Sequence, residues 1–153
     1  MLFSACEIGL GAQVDTDSPV LSITYPPDNS VIRSNFILYG TCSDDKGLQS
    51  VTVKVTKTVD GQAVQVGDIQ TATIDAKGGT WQLTVNTPSA TGYTNSEPTL
   101  PTYTYPLADG TYVANVYATD TSGRTSGVSS RSFSVDNTAP VLLLNKPLAA
   151  GDE

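Results

Sequence analysis

A chain of 153 residues with a formal net charge of −7, eight Lys and Arg and no histidine rules out much chemistry before any motif is read. Without histidine there is no Ser-His-Asp triad, no Cys-His dyad and no zinc site with imidazole ligands. The two cysteines, Cys6 and Cys42, make no close pair for a thiolate metal site, and the scattered basic residues form no stripe for nucleic acid. No segment reaches the roughly 18 apolar residues of a membrane span. The hydrophobic fraction is 39% and the charged fraction only 15%, in a chain rich in Thr, Ser, Val, Gly and Asp. That composition favours strands over helices.

The chain opens on Met1-Leu2-Phe3-Ser4-Ala5-Cys6. Small residues before a cysteine, with apolar ones before those, resemble the lipobox of bacterial lipoproteins, which implies lipidation of Cys6. The competing reading is an ordinary cysteine in a terminal tether. From residue 20 onward the apolar pattern has period two, the mark of half-buried strands. Strands are expected at residues 20–25, 35–42, 50–58, 63–66, 69–75, 80–86, 111–119 and 129–135. In the second of them Phe36, Leu38, Gly40 and Cys42 share a face, so Cys42 reads as a small buried hydrophobe. Val53 lies on the inner face of the third, and Trp81 and Leu83 on that of the sixth. Tyr112 and Val116 do the same in the seventh, and Arg131, Phe133 and Val135 share a face of the last. Asp60-Gly61 signals a tight hairpin. No stretch carries apolar residues at helical spacing with a cap.

Residues 87–105 break this rhythm with a long run rich in Thr, Pro and Tyr. Structureless loops longer than about 12–15 residues are uncommon and are often functional. Tyr93, Tyr103 and Tyr105 could form a contact surface there. The plainer reading is a tolerated insertion whose tyrosines pack on a sheet edge. Seven to eight short strands in roughly 120 residues imply one all-β sandwich of two antiparallel sheets.

One phrase is written twice. Val14-Asp15-Thr16-Asp17-Ser18-Pro19-Val20-Leu21 recurs as Val135-Asp136-Asn137-Thr138-Ala139-Pro140-Val141-Leu142. Repetition about one domain length apart is the signature of a tandem array. The expected division is a signal remnant and tether at 1–13, a sandwich at 14–136, and at 137–153 the linker and first strand of a following repeat.

The segment Asn35-Phe36-Ile37-Leu38-Tyr39-Gly40-Thr41-Cys42-Ser43-Asp44-Asp45-Lys46-Gly47 resembles a strand and turn of bacterial Ig-like domains. Asp109-Gly110-Thr111-Tyr112 through Ala118-Thr119-Asp120-Thr121-Ser122-Gly123 is similar to another strand and turn of that family, and Val135-Asp136-Asn137-Thr138-Ala139-Pro140 to its inter-domain linker. Cys42 departs from the usual alanine, and residues 87–105 are an insertion. The resemblance implies an Ig-like sandwich with Tyr112 as a tyrosine corner. It also brings Asp15, Asp17, Asp44, Asp45 and Asp120 to one pole. Carboxylates gathered on loops suit calcium, the one cofactor this sequence suggests. The alternative is that these aspartates serve turns.

No catalytic set or phosphate-binding loop is visible, so the chain reads as a non-enzyme. The expected role is a stalk, spacer or adhesion module of a bacterial cell-surface lipoprotein, extracytoplasmic and lipid-anchored or secreted. The alternative is a glycan- or protein-binding accessory module of a secreted enzyme. Its expected partners are neighbouring Ig-like domains in the same chain and a host or matrix protein or glycan. The lipid anchor would be the sole membrane contact, and nucleic acid is excluded.

Overall fold

The computed structural model describes residues 14–77, 79–87 and 107–138. They fold as a β-sandwich of ten strands. These are β1 (Val20–Tyr25), β2 (Ser30–Ile32), β3 (Phe36–Ser43), β4 (Leu48–Val59), β5 (Gln62–Gln65), β6 (Gln70–Thr71), β7 (Thr73–Asp75), β8 (Thr80–Val85), β9 (Gly110–Asp120) and β10 (Ser129–Val135). One sheet runs β1-β3-β8-β7, and the other runs β2-β10-β9-β4-β5 with β6 also paired to β4. Among the described residues there is no helix.

Strict alternation builds the interior. β3 buries every second residue along its length, and β9 does so from Tyr112 to Asp120. Phe36, Leu38, Cys42, Val53, Trp81, Leu83, Tyr112, Val116 and Phe133 are all buried between the sheets. Their removal from water is the chief stabilising term, at about 25 cal/mol per Å² of apolar surface. Phe36 meets Phe133 edge-on at 5.3 Å, and Tyr112 stacks on Phe133 at 5.9 Å. The Tyr112 hydroxyl donates to the Ala108 carbonyl at 2.7 Å, tying the start of β9 to the loop before it. Burial, with the Asp109 charge as the lesser cause, pushes that phenol's pKa up. Burial likewise raises the Cys42 thiol. The hairpin between β4 and β5 turns on Asp60 and Gly61, at φ +50° and +78°. Positive φ at both central residues is what a tight hairpin turn of the primed type requires.

Three features differ from the sequence expectation. First, β2 falls just beyond a turn cluster and pairs parallel with β10, so the second sheet is mixed. The chain thus uses one sheet for β1 and changes to the other for β2, across Pro26 and Pro27. Second, the expected strand at 69–75 is two strands in different sheets: β6 pairs with β4 and β7 with β8. Buried Ala72, whose N–H donates to the Val51 carbonyl at 2.8 Å, marks the crossing. Third, Arg131 shares the inner face but is only half-buried, because its guanidinium reaches across to the Ile23 carbonyl of β1.

Candidate functional site

β3 and β9 run the length of the sandwich, so their two ends mark its poles. At the leading pole lie the segment before β1, the β3–β4 turn and the β9–β10 turn. Asp15 is buried and makes three links. One carboxylate oxygen accepts the Asp17 N–H at 3.1 Å, and the other accepts the Ser122 hydroxyl at 2.8 Å. Its carbonyl accepts the Arg124 Nε–H at 2.9 Å. Sequence reading did not single out Ser122 or Arg124. Their only signal was membership of a Thr-Ser-Gly-Arg turn.

The two turns are held by their own aspartates. Asp44 Oδ2 accepts the Lys46 and Gly47 N–H groups at 2.9 and 3.0 Å, while its Oδ1 is buried without a partner. Asp120 is fully buried. Its Oδ1 accepts the Ser122 and Arg124 N–H groups, both at 2.8 Å, and its Oδ2 is also buried and unpartnered. The Thr121 N–H donates to the Gly47 carbonyl at 3.0 Å and fastens one turn to the other. Asp45 is exposed, with Lys46 Nζ 3.3 Å away.

Carboxylate oxygens of Asp15, Asp44 and Asp45 lie within 4.8 Å of one another, and they are the single such group among the described residues. Calcium–oxygen distances of about 2.3–2.6 Å place ligands on opposite sides of an ion roughly 5 Å apart, so this spacing fits. Of the five aspartates named from the sequence, three converge. Asp17 instead borders an adjoining groove of about 220 Å³ with Ser18, Val20, Ser43, Asp44 and Asp45. Asp120 is spent on its turn.

The trailing pole has a matching tie. The Asn137 side-chain oxygen accepts the Ser34 N–H at 2.9 Å. Asp109 accepts the Asn137 N–H at 2.7 Å and also the Thr138 hydroxyl. The Thr138 hydroxyl bond, then the Asn137 amide, hold the Asp109 carboxyl below the usual range. Asp136 closes a turn by accepting the Thr138 N–H at 3.2 Å, and its other oxygen lies 3.5 Å from Arg33.

A groove of about 310 Å³ lies on the open face of the four-stranded sheet, lined by Tyr39, Thr73, Asp75, Thr80, Trp81 and Gln82. Tyr39 is 41% exposed and stacks on Tyr25 at 5.8 Å. The aromatic surface expected from Tyr93, Tyr103 and Tyr105 lies outside the described residues, as do Cys6 and residues 139–153.

No protein-family model matches the chain, and no curated protein matches it. Among solved structures, the chain is similar to Clostridium thermocellum CbhA fibronectin(III)-like modules. The match covers 76% of this chain and 95% of that one, at 17% identity and a TM-score of 0.40.

Proposed function

We propose that the chain is a non-catalytic spacer or adhesion module of a bacterial cell-surface protein, one of several Ig-like units strung end to end outside the cytoplasm and anchored through Cys6. The observation that carries this reading is the placement of the two linkers. The segment before β1 is tied to the Asp120 end of β9, and the segment after β10 is tied to Asp109 at its start. β9 has eleven residues, which at about 3.3 Å each puts the poles roughly 35 Å apart. A module entered at one tip and left at the other adds its full length to a rod. Extending the chain past Pro140 with residues 20–138 of a second copy should give, in small-angle X-ray scattering, a maximum dimension about twice that of one module. A folded-back particle no longer than one module would overturn the spacer reading.

Calcium at Asp15, Asp44 and Asp45 belongs to the same proposal. The convergence of these oxygens and the buried, unpartnered Asp44 Oδ1 support it. An ion there would neutralise mutual repulsion and fix the leading linker against the β3–β4 turn. Calcium at about a hundred times its Kd should add about 2.7 kcal/mol and raise the Tm by roughly 10 °C. Asp45→Asn should remove most of that rise, because Asp45 is the ligand not used by a turn. The same Tm in calcium and in chelator would refute the site.

The competing reading, a ligand-binding accessory module, is favoured by the Tyr39 groove, where a ring backed by Tyr25 stands beside Gln82 and Thr73. Binding of a soluble glycan that Tyr39→Ala abolishes would favour it over the spacer.

A further inference from the structure

We infer that Asp136 serves two modules at once: it closes the turn leaving this sandwich, and in a following copy it takes the position that Asp15 takes here. This joint presupposes the tandem reading above. The repeated phrase aligns Asp136 with Asp15 and Thr138 with Asp17. The two copies also adopt the same turn. Asp15 Oδ1 accepts the Asp17 N–H at 3.1 Å, and Asp136 Oδ1 accepts the Thr138 N–H at 3.2 Å. In each copy Oδ2 faces another partner, the Ser122 hydroxyl for Asp15 and the Arg33 guanidinium for Asp136.

The difference between them is burial. Asp15 is covered by the β9–β10 turn through Ser122 and Arg124. The Asp136 side chain is 44% exposed. A carboxylate offers about four lone-pair sites, so a turn amide and an arginine leave room for a hydroxyl. The counterparts of Ser122 and Arg124 in a following copy fit that open flank, one on the carboxylate and one on the carbonyl.

Two consequences follow for the surface between modules. Asn137 and Thr138 are already held to this sandwich by Ser34 and Asp109. With Asp136 held by the following one, three consecutive residues are clamped from both sides and none is left to pivot. Arg33, 66% exposed beside Asp136, would then face the counterparts of Asp44 and Asp45. A cation on one rim meets an acidic cluster on the other, which fixes orientation as well as spacing. The partner is therefore a second copy of this fold, docked leading pole to trailing pole.

The test uses the full chain continued past Pro140 with residues 20–138 of a second copy. It carries Cys6→Ser and one nitroxide per copy at Gln62→Cys, while buried Cys42 stays unlabelled. Electron–electron distance measurements should give a single narrow distribution, lost in Asp136→Ala but kept in Asp68→Ala, which removes the same charge from a remote loop. The Tm of each variant establishes that both copies are folded. A narrow distribution in Asp136→Ala overturns the shared-residue joint and leaves the spacer reading standing. A broad distribution in the unsubstituted chain overturns the joint, and the scattering measurement then decides the spacer reading separately.

Discussion

Replacing Trp81 with alanine should cost the module about 3–5 kcal/mol, the range found when a large aromatic is cut from a packed core. The indole is 1% exposed and sits near the start of β8, among the buried residues of the core. It also has a polar duty. Its Nε1–H donates to the Ser22 carbonyl at 3.1 Å, binding the edge strand β1 to the middle of its own sheet. Alanine removes the volume and leaves that carbonyl without its partner. Phenylalanine keeps most of the volume and loses only the hydrogen bond, a net effect of about 1 kcal/mol. Urea unfolding of both variants separates the two contributions. A loss below about 1 kcal/mol for Trp81→Ala would mean that the indole does not fill this interior. Domains of this size hold only about 5–15 kcal/mol in all, so the expected loss is a large share of the whole.

Gly40→Ala should be comparably harmful for an opposite reason. A Cβ at Gly40 would stand 1.9 Å from the Ser22 carbonyl oxygen, 2.8 Å from its carbon and 2.9 Å from Trp81 Nε1. Gly40 is opposite Ile23 on one side and Trp81 on the other, so it is paired in both ladders of β3. The two nearest atoms it would strike are Ser22 backbone, which cannot swing away, and the third belongs to the Trp81 ring locked in the core. β1 must lift off β3, and the bond from Trp81 goes with it. Overpacking commonly costs about 1–3 kcal/mol and occasionally more, and the ladder lost here places this substitution at about 3 kcal/mol. Hydrogen exchange should locate the damage, with β1 amides losing protection well before those of β9. Stability within about 0.5 kcal/mol of the parent would show that β1 does not approach this closely. The glycine is required by space and not by dihedral angle.

What the sequence made legible was whatever repeats with period two over five residues or more. β3 and β9 announce themselves because nearly every second residue is apolar or small and most of the intervening ones are polar, Ile37 and Val113 excepted. β2 offers three residues after a proline turn, too few for a period to show. Its partner β10 lies a hundred residues away, so only tertiary contact defines it. The run at 69–75 looks continuous because nothing local marks Ala72 as the place where the chain leaves one sheet for the other. At the leading pole, the gathering of aspartates could be read once the topology was supposed. Which of them converge could not. Asp120 and Asp44 have the same turn chemistry in sequence, yet Asp120 is fully buried and Asp44 reaches the cluster. Ser122 and Arg124 were silent for the same reason: their role depends on a segment more than a hundred residues earlier.

The parallel pairing of β2 with β10 bears on how the molecule responds to tension. Ile32 and Val135 end their strands side by side at the trailing pole, and Asp136 adds one further backbone bond to Ile32. Drawn apart by its tips, the chain slides β1 along β3 and β2 along β10, each parallel to its own length. Bonds that cross such a slip plane resist in shear, all together, where a hairpin peeled from its open end would surrender them singly.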